Sequence, residues 1–209
     1  MRQMRDFYQN TAGVQGLTFK KMLGSGGGNG FSIWPNLNQY VLLACWESEH
    51  AFQSFEASNT FQAFVARAGT LTTLFLHCAK SHGLWDKRQP FQVTETAKAV
   101  NKPAAVITRA TIATKKLLHF WQYVPSVSKA IEGAPGLIFA AGVGEYPVFQ
   151  QATFSIWQNL DSMRAYAYQG PLHSKVIQHT RKFGWYNEEL FARFFVYKEH
   201  THKGRSLLY

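Results

Sequence analysis

Arg193 lies in the run Leu190-Phe-Ala-Arg-Phe-Phe-Val196, where strand alternation sets it on one face with Phe191 and Phe195. A guanidinium among aromatic rings requires a carboxylate or an anionic ligand. Glu188 or Glu189 could be that carboxylate, and a bound ligand is the equal alternative. Arg109, in Ile107-Thr-Arg-Ala-Thr-Ile112, poses the same question on the facing strand. His173 opens a predicted helix from Leu172 to Lys182, with Val176 and Ile177 at i+3 and i+4, so its ring faces apolar surroundings. An imidazole so placed can ligate heme iron or another metal, although a hydrogen-bonded core histidine is the commoner case.

Other candidate motifs carry less. Gly24-Ser-Gly-Gly-Gly-Asn-Gly30 lacks the ending of a phosphate loop and is expected to be a flexible hairpin or lid loop, within a glycine-rich segment, Gly24 to Asn38, that reads as a loop insertion. Cys45 alternates with apolar neighbours and Cys78 is expected at a strand end, so both read as buried, inert thiols. His173 and His179 are separated by about 240° around a helix and share no face. His200 and His202 fall in a polar tail, Lys198 to Arg205, that is expected to fray.

The elements that must position these residues come from an internal repeat. Gly16-Leu17-Thr18-Phe19, with Gly24 following, recurs 120 residues later as Gly136-Leu137-Ile138-Phe139 with Gly144 following. An offset of 111 then lays Trp46 on Trp157, Phe52 on Met163, Phe55 on Tyr166 and Gln62 on His173. Only the second copy therefore has an imidazole at the helix start. That copy reads as a strand Ala104 to Ile112, a helix Lys115 to Ile131 interrupted at Pro125, strands Gly136 to Gly144 and Gln151 to Trp157, a helical run Asn159 to Lys182 broken at Gln169-Gly170-Pro171, and a closing strand Glu189 to Tyr197. The order β-α-β-β-α-β is the ferredoxin-like unit. The expectation is an α+β chain of two tandem ferredoxin-like repeats, residues 1–92 and 93–209, forming an α+β barrel whose first repeat lacks its opening strand. An added upstream β-rich segment is expected to raise both melting temperature and heme occupancy.

Composition limits the class. The 17 Phe, 6 Trp and 9 Tyr make 15% of the 209 residues, and charged residues are 16% against about 25% in an average domain. This excludes disorder, collagen and coiled coil. Two cysteines cannot build a disulfide framework, and a reducing cytoplasm fits. Lys and Arg number 22 against 12 Asp and Glu, a net charge of +10 that suits an anionic membrane surface or an anionic ligand. Nucleic acid ranks last, because the basic residues are scattered pairs without zinc-finger or RNA-binding signatures.

Several segments in order carry a family likeness: Ile107-Thr-Arg-Ala-Thr-Ile112, Phe120-Trp-Gln-Tyr-Val-Pro125, Gly144-Glu145-Tyr-Pro147, Gln151-Ala-Thr-Phe-Ser-Ile-Trp157, Met163-Arg-Ala-Tyr-Ala-Tyr168 with His173, and Trp185-Tyr-Asn-Glu-Glu-Leu-Phe-Ala-Arg-Phe194. Together with Gly83-Leu-Trp85 and Pro90-Phe91 they resemble the bacterial spheroidene monooxygenase family, heme-containing carotenoid ketolases and hydroxylases. The likeness covers nearly the entire chain and implies a further strand ahead of what is Met1 here. The family is also similar in plan to heme-binding α+β barrel enzymes such as aldoxime dehydratases. That similarity implies heme b with His173 as proximal iron ligand, Arg193 as the distal catalytic group, and Arg109, Val176, Ile177, Phe191 and Phe195 around the cofactor. The implied reaction hydroxylates or ketonises a carotenoid at an allylic carbon near the chain end with O2. The implied partners are a ferredoxin-type electron donor and an anionic membrane surface, and the implied location is the cytoplasm, peripheral on the inner face of the membrane. The alternatives are a heme- or apolar-ligand-binding barrel without oxygenase activity, and an aldoxime-dehydratase-like heme enzyme.

Overall fold

The computed structural model describes residues 2–27, 35–94, 102–122, 131, 133–146, 148–169 and 184–208. Its elements in chain order are α1 (Arg2–Asn10), β1 (Leu17–Gly26), β2 (Pro35–Trp46), α2 (Glu49–Glu56), α3 (Asn59–Arg67), β3 (Leu71–Gly83), β4 (Ala104–Ile112), β5 (Leu137–Gly144), β6 (Gln150–Trp157), α4 (Leu160–Gln169) and β7 (Tyr186–Lys203). A 3-10 turn, Thr114–Lys116, leads into a helical segment over residues 117–122. The breaks predicted at Pro125 and Gly170-Pro171 lie outside the described residues.

One antiparallel sheet in the order β2-β1-β5-β6-β4-β7-β3 joins all seven strands. The last four strands of the chain are contiguous in it, as β5-β6-β4-β7, and β3 lies beyond β7. Among the described residues, β2 and β3 each pair along one edge only. The ladder between β1 and β5 is short, with Gly24 opposite Gly144 and Ser25 opposite Val143. The ladder between β3 and β7 runs from Leu71 opposite Lys203 to Gly83 opposite Leu190.

Alternation divides each strand between two faces. The inner face collects Leu23, Ile107, Phe154, Ile156, Phe194 and Val196 into one cluster, and Val41, Leu43 and Cys45 of β2 and Leu74 and Leu76 of β3 pack on it as well. Strands at opposite ends of the sheet reach the same cluster only because the sheet curls around it. Cys45 and Cys78 mark this approach. Burial, then the nearness of Cys78, pushes the Cys45 thiol up to about 11, and burial raises Cys78 too.

Matched positions make matched contacts. Gly16 and Gly136 both take φ near +75°, at +74° and +76°, and a side chain there would strike Ala51 or Ser162, the first turns of α2 and α4. Each carbonyl accepts from the residue after a strand, Gly16 from the Glu47 N–H at 2.9 Å and Gly136 from the Gln158 N–H at 2.8 Å. Helix starts follow the same rule: Ser48 Oγ caps α2 by accepting from the Ala51 N–H, and Asn159 Oδ1 accepts from the Ser162 N–H.

Four expectations are corrected. The segment from Gly24 to Asn38 is not all loop, since β1 runs to Gly26 and β2 begins at Pro35. Cys78 sits within β3, whose thirteen residues extend to Gly83. The closing strand spans Tyr186 to Lys203 rather than Glu189 to Tyr197. His200 and His202 therefore belong to a strand, not a frayed tail. The cause is β3, which pairs with β7 almost to its end and supplies partners for backbone groups that polar side chains alone would leave in water.

Candidate functional site

The helix-side face of β7 carries the residues singled out by alternation. Arg193 stands opposite Val106 of β4 and Lys80 of β3, Phe191 opposite Thr108 and His82, and Phe195 opposite Ala104 and His77. Residues directly paired across antiparallel strands share a face. Phe195 is buried with Ala104, while half-buried Phe191 packs toward Val106 and stacks on His82 at 5.1 Å. Above this floor lies α4, which buries Met163 and brings Tyr166 onto Trp157 at 5.0 Å. Spacing of three along one turn puts those two residues on the sheet-facing stripe. Two cations, Arg193 and Lys80, are thus cross-strand neighbours beside aromatic and aliphatic surface. Like charges placed directly across antiparallel strands repel.

His173, Val176 and Ile177 lie outside the described residues. The face that Arg193, Phe191 and Phe195 share is described, and it is continuous with α4, whose last residue precedes His173 by four positions.

Arg109 is elsewhere. Its Cα partners are Ala152 and Leu190, members of the inner cluster, so it points to the face opposite Arg193. There it is 2% exposed and forms an ion pair with Glu188, with Asp86 at 3.6 Å and the Trp85 ring 5.5 Å from the guanidinium carbon. Glu188 also accepts the backbone N–H groups of Asp86 at 3.0 Å and Lys87 at 2.8 Å. Burial works against this carboxylate, but those bonds and Arg109 outweigh it and hold its pKa below the ordinary value. Lys21 of β1 completes the group by pairing with Asp86 and with Glu145, whose other oxygen accepts from Trp85 Nε1 at 2.6 Å. Burial favours the neutral Lys21 amine, yet its two carboxylate partners raise the pKa overall.

This network clasps β1, the turn after β3, β4, the end of β5 and the start of β7. The turn is a two-residue reversal, with Trp85 and Arg88 exchanging backbone hydrogen bonds and Asp86 and Lys87 at φ +53° and +61°. Sequence reading found Arg109 but missed Lys21, Asp86 and Glu145 as its companions. The available signal was that Trp85 and Glu145 both fall in the family-like segments. Glu188, proposed for Arg193, is committed to Arg109 instead.

No family model matches the chain. It is 38% identical over 178 residues to the spheroidene monooxygenase of Cereibacter sphaeroides, a match covering 84% of this chain and 55% of that protein. It is 34% identical over 178 residues to the spheroidene monooxygenase of Rhodobacter capsulatus, covering 84% of this chain and 74% of that one. The chain thus spans about half the length of the first relative and about three quarters of the second. A crystal structure of aldoxime dehydratase superposes with a TM-score of 0.59 at 10% identity, covering 93% of this chain and 75% of that chain, a likeness of fold alone.

Proposed function

We propose, from the premise that the chain belongs to the spheroidene monooxygenase family, that it is a heme-dependent monooxygenase acting on a long apolar carotenoid at an allylic carbon near the chain end. The observation that carries the cofactor reading is Arg193 on the helix-side face, between Phe191 and Phe195 and beside Lys80. A flat, apolar, anionic group suits that mixture of rings and cations. On this reading His173 would supply the iron ligand, and Val176, Ile177, Phe191 and Phe195 would exclude water from the cofactor. Arg109 leaves this assignment, because it is ion-paired on the other face.

Heme iron, when bound, supplies the reductive activation of O2. Arg193 contributes hydrogen-bond donors and a fixed positive charge, favouring negative charge as it builds on oxygen. The balance is one C–H bond, O2, two electrons and two protons, giving one C–OH and one water. A second round at the same carbon gives a geminal diol that loses water to a ketone. Electrons come from a ferredoxin-type donor, for which a +10 chain has electrostatic affinity when the donor is acidic. The same charge holds the enzyme on the anionic inner face of the membrane, where the carotenoid resides. Among the described residues no helix is long and apolar enough to cross a membrane. The fold reading that accompanies this is two ferredoxin-like repeats, 1–92 and 93–209, sharing one sheet, with the cofactor on the second.

Loading the purified protein with hemin should give a Soret band that His173→Ala loses while its far-UV circular dichroism is unchanged. Arg193→Ala should keep the band and lose about 100-fold in carotenoid product per heme, the scale set by removal of one oxyanion-stabilising donor. Absence of a Soret band in the wild type would remove the heme reading, and full product formation by Arg193→Ala would remove its catalytic role.

A further inference from the structure

The far end of β7 holds a second group of side chains with ligand chemistry. β3 and β7 shift register where Phe75 faces Lys198 and Leu76 faces Val196, leaving Tyr197 as the extra residue. The shift changes the phase of alternation, so His200 and His202 fall on the helix-side face, where Glu56 ends α2. Glu56 Oε1 is 3.0 Å from His200 Nδ1 and 3.5 Å from His202 Nε2, and the three ligand atoms all lie within 4.8 Å of one another.

Four-coordinate zinc, with bonds of about 2.0–2.1 Å, holds its ligand atoms roughly 3.3 Å apart, so this trio needs only small rotations to surround an ion. Two imidazoles and a carboxylate are borderline donors suited to Zn2+ and its first-row neighbours, and poorly suited to Ca2+ or Mg2+. The surroundings hold the His202 ring and the backbone at the end of α2. Phe61 meets the His202 ring edge-on at 4.9 Å, and the Gln62 side chain donates to the Glu56 carbonyl at 3.0 Å. Thr73 Oγ1, 2.9 Å from His202 Nε2, is a short hydroxyl that can turn away to release that nitrogen. Side-chain exposure falls from 51% at His200 through 22% at Glu56 to 8% at His202, so the trio opens to solvent on one side, where water can complete the shell.

We propose that Glu56, His200 and His202 bind one divalent transition-metal ion, Zn2+ foremost, and that the ion pins the end of α2 to the end of β7. Seven residues of strand, roughly 23 Å, separate His200 from Arg193, so the site is independent of the proposed oxygenation. Equilibrium dialysis of untagged protein against micromolar Zn2+, with zinc and iron counted in the same samples, tests it. Wild type should retain one zinc per chain more than the Glu56→Gln/His200→Ala double variant, and Zn2+ should raise the melting temperature of the wild type alone. His200→Ala by itself, at an exposed position that endangers folding least, should weaken zinc binding at least tenfold. Equal zinc retention by wild type and double variant would overturn the site. An extra equivalent without a melting shift would overturn the pin. The iron count reports heme loading separately, so failure here and failure of the heme reading are distinguishable.

Discussion

Among the described residues, α2 with α3 and α4 cover the outer side of the sheet at two places, and the two coverings differ in what lies beneath them. Under α2 and α3 the space is filled with rings: Phe52 meets Phe75 at 5.2 Å, Trp46 at 5.7 Å and Phe61 at 6.1 Å, each edge to face. Under α4 one ring pair is retained almost unchanged. Trp157 lies on Tyr166 at 5.0 Å and 31°, against 5.2 Å and 34° for Trp46 on Phe55. The position matching Phe52 is Met163, a flexible thioether, and the adjoining strand brings Arg193. Beneath α2 and α3 the rings interlock, whereas beneath α4 a thioether and a half-buried Phe191 lie beside a strand that carries a guanidinium. The two coverings of one scaffold thus differ in side-chain chemistry at matching positions.

The sharpest way to break this contrast is Phe52→Ala. Loss of a ring locked between three others should destabilise the fold by about 3–5 kcal/mol in urea titration and leave heme per folded chain unchanged. A loss of heme matching that of His173→Ala would show that the two coverings are not divided as described. Glu188→Gln supplies a control on the inner face, where it leaves Arg109 buried against a neutral amide, and should cost about 2–4 kcal/mol at neutral pH. Because the folded Glu188 pKa is depressed, its contribution is present above the ordinary carboxylate pKa of about 4.3 and is lost as pH falls through the lower folded value. Wild type and Glu188→Gln should therefore converge in stability in acid, and a gap constant down to pH 2 would refute the linkage. Tyr166→Phe should have the smallest effect, under about 1 kcal/mol, since Phe55 makes the same ring pair without a hydroxyl. A cost several times larger would assign the Tyr166 hydroxyl a role that has no counterpart under α2.

Local patterns exposed much of this arrangement in the chain itself. Period-two alternation sufficed to put Phe191, Arg193 and Phe195 on one face, and the repeated glycines located two helix entries, because a positive φ beside an incoming helix leaves no room for a Cβ. What stayed hidden depends on distance along the chain. Lys21 pairs with Asp86 and Glu145, which are 65 and 124 residues away, and no local period encodes that meeting. His200 and His202 were hidden differently. A run of polar residues near a terminus resembles a solvated tail unless a neighbouring strand is known to pair with it, and the bulge at Tyr197 reverses the face that simple alternation would assign.

Finally, two seams of the sheet, β3 with β7 and β1 with β5, are unequal. β3 and β7 are joined along most of their lengths, but among the described residues the ladder between β1 and β5 is confined to Gly24 opposite Gly144 and Ser25 opposite Val143. Separating the first seam would rupture a long ladder, whereas parting the second costs few backbone bonds and, at Gly24 and Gly144, no side-chain interlock. Thermal breathing will concentrate there, with the long seam serving as the spine of a book and the short one as its fore-edge. Amide protons of Gly24, Ser25, Val143 and Gly144 should accordingly exchange with deuterium well before those in the middle of β7.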